Sequence, residues 1–140
     1  MAEQVTTSDG RVVAERLEVA STMWSRFMGL MGRKQLPAGD ALWLAPCSQV
    51  HTFFCRFPMD VAFLDRDGRI LHIAHAMKPW RVGRLVFRAK AALELPGGTL
   101  QSMGVAKGER LVRSPVPIAE AEGSVTPVPP APASPETAPP

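Results

Sequence analysis

The sequence predicts a single β-rich α+β domain: a strongly bent, mostly antiparallel sheet or small open barrel, with one short helix at about residues 22–32 packed across it. Three observations lead there. Short runs of β-branched and aromatic residues recur between turn residues; one early segment alone switches to helical period; and Asp65-Arg66-Asp67-Gly68 separates two apolar runs as a hairpin turn would.

The elements follow in order. Residues 1–10 are expected to be a flexible lead-in, and 10–20 read as a strand with partial alternation. Ser21 or Thr22 then caps a helix in which Trp24, Phe27, Met28 and Met31 fall at i, i+3, i+4 and i+7, and Gly32 closes it in a left-handed conformation. That stripe is core by its spacing. Residues 36–40 form a loop, and 41–45 and 50–54 are short strands separated by Pro46. Residues 59–65 and 69–77 make the hairpin, where Asp65 and Asp67 can cap the turn and Gly68 is free to take a positive φ. Residues 78–81 break the second strand, 91–95 form another, Pro96-Gly97-Gly98 turns, and 109–113 close the domain after a turn between Gly104 and Gly108.

The 140 residues suit one core, placed at 11–114. Residues 115–140 are so rich in Pro and Ala, and so poor in bulky apolar residues, that a disordered tail is expected. The net charge of +3 hides an asymmetry, since all 16 Lys and Arg lie before Ser114, whereas Glu120, Glu122 and Glu136 lie after it. A basic domain favours anionic partners: a small molecule or a protein, with nucleic acid also open. The start of the chain shows no secretory pattern and no stretch is apolar enough to span a bilayer, so a cytoplasmic monomer is expected.

No cofactor or metal is expected. Cys47, His51 and Cys55 are spaced by four, but on a strand that spacing separates neighbours by about 13 Å, too far to share one zinc. The residues after Asp65-Arg66-Asp67-Gly68 lack the oxygen donors of a calcium loop, and no glycine pair is followed by the Lys and Ser or Thr of a phosphate loop. Asp60 and Glu94 stand out because each is set among residues that look buried, where a carboxylate loses several kcal/mol of solvation unless an N–H group or a cation answers it. Arg56 and Arg81 are candidates to do so. From Arg69 to Leu93 there is no acid, yet Arg69, Lys78, Arg81, Arg84, Arg88 and Lys90 occur there, with Trp80 beside Arg81. Arginine forks and an indole suit a phosphate, a carboxylate or a stacked base.

The combination of Arg26-Phe-Met-Gly-Leu-Met31, His51-Thr-Phe-Phe-Cys-Arg-Phe-Pro-Met-Asp60 with its continuation to Gly68, Pro79-Trp80-Arg81 and Leu93-Glu-Leu-Pro-Gly-Gly98 resembles domain-of-unknown-function family 192 over about residues 11–112. The resemblance implies a compact β-rich α+β fold with one early helix. It also implies a link to pilus assembly or secretion in relatives with the His-Thr-Phe-Phe and Pro-Trp-Arg versions. The family usually has Met where this chain has Cys55, which argues against an essential thiol there. The matched polar positions are His51, Arg56, Asp60, Arg81 and Glu94.

The leading expectation is therefore a non-catalytic binding or accessory domain. Its surface would comprise the 51–60 stretch, with His51, and the Pro79-Trp80-Arg81 loop: Phe54 and Trp80 for contact area, Arg56 and Arg81 for the anion, and Asp60 to orient an arginine. The alternative is a small hydrolase or lyase with Asp60 and His51 as acid and base.

Overall fold

The runs Met59–Leu64 and Ala91–Pro96 are apolar at nearly every position, a pattern that requires cover on both faces of a sheet. The computed structural model, which describes residues 2–20, 22 and 30–116, supplies that cover. Among the described residues the strands are β1 (Glu3–Thr7), β2 (Val12–Ala14), β3 (Arg16–Ala20), β4 (Asp40–Leu44), β5 (Met59–Leu64), β6 (Ile70–Met77), β7 (Ala91–Pro96) and β8 (Leu111–Pro115), with a short helix, α1 (Thr99–Ser102), before β8. A three-stranded sheet in the order β2-β1-β8 and a five-stranded sheet in the order β3-β4-β7-β5-β6 result. All pairings are antiparallel except β3 with β4. The β-rich α+β expectation holds, with the strands divided between two sheets and not closed into a barrel.

One face of the larger sheet packs on the smaller through Val5, Val13, Leu64, Leu93, Leu95 and Leu111. The opposite face, with Leu42, Leu44, Met59, Val61 and Phe63, is covered by connecting segments that contribute Leu30, Leu36, Val50 and Cys55. Each fully buried Leu, Val or Phe among these stabilises the fold by about 1.5–3 kcal/mol.

Several local expectations change. The lead-in over 1–10 contains β1, whose Val5 and Thr7 are buried and whose five residues pair with β8. The single strand over 10–20 splits at Glu15, because the amides of Glu15 and Arg16 both donate to the Gly39 carbonyl (2.8 and 3.0 Å), sending β2 to one sheet and β3 to the other. Residues 50–54 form no strand; His51 makes an isolated bridge to Val82 and the chain turns at Phe53 and Phe54. The last strand starts two residues later than expected and continues to Pro115. The helix expected at about 22–32 and the tail fall largely outside the described residues; within the described part, Leu30 to Gly32 form a turn and Gly32 has φ +76°.

The β5–β6 hairpin forms as read. Asp65 Oδ1 accepts the amides of Asp67 (2.8 Å) and Arg69 (3.0 Å), and Gly68 takes φ +84°. At the other end of the hairpin the register slips between Met59 and Val61, so that His75 and Ala76 stand opposite Asp60 alone. That bulge turns the Ala76 amide, at φ +46°, toward the Asp60 side chain.

Candidate functional site

Segments 48–54 and 80–86 are irregular, yet they are laced together along their length. The Val86 amide donates to Ser48 O (2.8 Å), Gly83 to Val50 O (2.9 Å), Thr52 to Arg81 O (2.8 Å) and Trp80 to Thr52 O (2.9 Å). Gly83 suits the close crossing, since an added Cβ would lie 3.0 Å from Val50 O and push the two segments apart by a few tenths of an ångström. Fully buried Thr52 locks the ribbon: its hydroxyl donates to Lys78 O (2.6 Å) and accepts the Arg81 amide (2.8 Å).

Around this clamp the side chains point outward. His51 and Phe53 lie with ring centroids 5.1 Å apart, Phe53 and Trp80 6.1 Å, and Phe54 and Trp80 4.7 Å. Phe54 and Trp80 are each 55% exposed, and each takes φ +63°, a left-handed conformation that costs a residue with a Cβ about 1–2 kcal/mol. Arg56 and Arg81 are exposed, and the Arg81 guanidinium donates to Pro79 O and Trp80 O (both 3.4 Å). Among the described residues, Arg56, Lys78, Arg81, Arg84, Arg88 and Lys90 make no ion pair, while Arg11, Arg16, Arg33 and Arg113 do. The structure thus brings the rings of His51, Phe53, Phe54 and Trp80 into one chain of contacts, with Arg81 next to Trp80 in sequence.

Asp60 is elsewhere in character. It is 0% exposed, Oδ1 accepts the amides of Ala76 (2.7 Å) and Gly98 (3.0 Å), and Oδ2 accepts that of Leu100 (2.9 Å). The expectation that it orients Arg56 or Arg81 is corrected: among the described residues backbone amides answer it. The carboxylate pins the β6 bulge and the start of α1 to β5, a structural duty.

The model of the family DUF192, "Uncharacterized ACR, COG1430", matches residues 4–113. The chain belongs to this family. A UPF0127 protein of Pyrococcus furiosus is 30% identical over 107 residues, covering 73% of this chain and 90% of that one. A crystal structure of a protein of unknown function from Novosphingobium aromaticivorans superposes with a TM-score of 0.69 at 26% identity, covering 80% of this chain and 84% of the other. A second, from Sinorhizobium meliloti, carries the provisional name of a transcription regulator and matches with the same score and identity over 79% of this chain and 91% of its own.

Among the described residues of this DUF192 chain the other buried acid is Glu94, on the central strand β7 between Leu42 and Val61. It is buried, and its Oε2 has no hydrogen-bond partner among the described residues. Burial pushes its pKa up to about 8, against a smaller opposing pull from Arg33, so the side chain is mainly neutral at pH 7. The fold therefore accommodates Glu94 by keeping its proton, where the sequence reading called for an N–H group or a cation. Burial, with a contribution from nearby Glu94, also raises the Cys55 thiol to about 11, which makes it a poor nucleophile. The Cys47 thiol donates to Gln49 O (3.3 Å), and among the described residues no group of three His, Cys, Asp or Glu is placed to hold a metal.

Sequence reasoning missed Thr52, because its role exists only once residues 78–81 lie beside it. It also passed over Leu85-Val86-Phe87, although three apolar residues between Arg84 and Arg88 are a visible signal.

Proposed function

We propose that this DUF192 chain is a binding or accessory domain whose ribbon, with Phe53, Phe54 and Trp80 flanked by Arg56 and Arg81, receives an anionic small molecule or protein. The observation that supports it is the pairing of two exposed aromatic residues on left-handed backbone with cations that have no carboxylate partner among the described residues. Backbone strain that the fold tolerates for the sake of outward-facing rings is typical of ligand surfaces. Aromatic area with arginine forks supplies recognition without further machinery.

Calorimetric titration with small anions, acidic peptides and oligonucleotides tests this. Saturable binding that disappears in Arg81→Ala and weakens in Trp80→Gly is expected; no binding across the panel refutes it. Binding by oligonucleotides alone, with steep salt dependence, would instead favour the regulatory role named for the Sinorhizobium relative. The hydrolase or lyase alternative is disfavoured by burial: both Asp60 oxygens are engaged by amides, and the His51 Nδ1 accepts the Phe53 amide (3.2 Å). The link to pilus assembly or secretion rests on family resemblance alone.

A further inference from the structure

We infer that the outer end of the ribbon together with the residues just past it, 82–88, is a membrane-surface device: Leu85 and Phe87 enter the headgroup boundary of an anionic bilayer while Arg84, Arg88 and Lys107 hold lipid phosphates. This rests on the anionic-partner reading and narrows the partner to a lipid surface.

The large apolar side chains left exposed are unevenly placed. Phe53, Phe54, Trp80, Val82 and Leu85 lie on the ribbon and Phe87 just past its end, and the others among the described residues, Val12, Val19 and Val112, lie on strands of the two sheets. Phe87 is 90% exposed and so touches almost nothing of its own chain. A slack loop is not the reason. Val86, between Leu85 and Phe87, packs on the core that covers the opposite face of the larger sheet and donates to Ser48 O (2.8 Å); the Ala89 amide returns to Val86 O (2.9 Å), and the Lys90 amide is fixed to Leu64 O (2.7 Å). With Val86 turned in and both sides pinned, Leu85 and Phe87 are presented outward by construction.

Beside Phe87 lies a cleft of about 340 Å³ whose lining includes His72, Arg84, Leu85, Arg88 and Lys107 and no acidic residue. Such a cleft suits a phosphate. A protein interface concentrates its apolar residues in a centre depleted of charge, whereas here apolar tips alternate with arginines. That alternation fits the bilayer boundary, where arginine heads reach phosphates as apolar side chains reach the acyl region. Each cation near an anionic leaflet adds to the attraction, and the acid-free run from Arg69 to Leu93 brings no opposing charge.

The experiment is flotation of the full chain with phosphatidylcholine vesicles, with and without phosphatidylglycerol, for wild type, Phe87→Ser and the Arg84→Ala/Arg88→Ala pair. All three side chains are exposed, so unchanged melting should accompany the variants. Flotation only with phosphatidylglycerol, weakened by salt and reduced about tenfold in partition by Phe87→Ser, is expected. No flotation, or flotation indifferent to Phe87, overturns the inference. Calorimetry with glycerol phosphate and acidic peptides separates the two levels: saturable binding lost in Arg81→Ala without flotation keeps the anionic-partner reading and overturns the lipid one, and neither signal overturns both.

Discussion

Asp60→Asn is the sharpest perturbation available, because it keeps the shape of the side chain and changes only charge and donor pattern. Three amides converge on the carboxylate, two on Oδ1 and one on Oδ2. A carboxamide has one oxygen, so whichever way it turns its NH2 group faces at least one amide, donor against donor. The least damaging rotamer keeps the oxygen at Ala76 and Gly98 and strands the buried Leu100 amide. Stranding that group costs about 1–3 kcal/mol, and exchanging a charged for a neutral acceptor in the other two bonds costs about 1–2 kcal/mol more. The expected loss is about 2–5 kcal/mol, a large part of the stability of a domain this size. At about 4 °C per kcal/mol, melting should fall by about 8–20 °C. Urea unfolding followed by circular dichroism, with wild type and variant sharing one m-value, measures it. A change below about 1 kcal/mol, or a gain, would refute the anchoring role and turn attention to a ligand that the carboxylate serves.

Three further outcomes follow from the same geometry. Because Glu94 keeps its proton up to about 8 when folded and would lose it near 4.5 when unfolded, its contribution is full below about 4.5 and is lost as pH rises toward 8, a span worth about 5 kcal/mol at most. Urea titrations across that range should show wild type weakening with pH and Glu94→Gln much flatter; parallel slopes would show that Glu94 is ionised throughout. Trp80→Gly should be more stable than Trp80→Ala by about 1 kcal/mol, since only glycine occupies φ +63° without a Cβ penalty; equal stabilities would deny the strain. Thr52→Val should cost about 1–3 kcal/mol and speed amide exchange at Arg81, because it orphans Lys78 O and the Arg81 amide; unchanged exchange would mean that the ribbon is held by its backbone bonds alone.

What the sequence revealed follows the range of the interactions concerned. The β5–β6 turn was legible because its determinants, Asp65, Asp67 and Gly68, are within four residues of the groups they bond. Strand β1 was not, because what makes it a strand is β8, joined by the pairs from Glu3↔Pro115 to Thr7↔Leu111 and by the Arg113–Glu3 ion pair (2.6 Å). The 50–54 segment has the composition of a strand and misled for the same reason: its amide and carbonyl groups are used by residues 80–83 in an irregular ribbon, so β-propensity there describes packing that another segment decides.

The same distinction separates the two buried acids. In sequence Asp60 and Glu94 make one argument, a carboxylate among apolar neighbours that something must answer. The fold resolves them in opposite ways. Asp60 sits opposite a bulge and beside the Gly97-Gly98 turn, both of which leave backbone amides free to converge on it. Glu94 sits within an unbroken ladder, paired to Leu42 on one side and Val61 on the other, where the amides of the sheet are already committed. A carboxylate at a break in a sheet can recruit backbone donors; one in the middle of a ladder must hold its proton or find a partner outside the sheet. Whether a buried acid finds backbone amides to answer it is thus decided by strand register, and that is why the pH experiment on Glu94 and the stability experiment on Asp60 test one principle from its two sides.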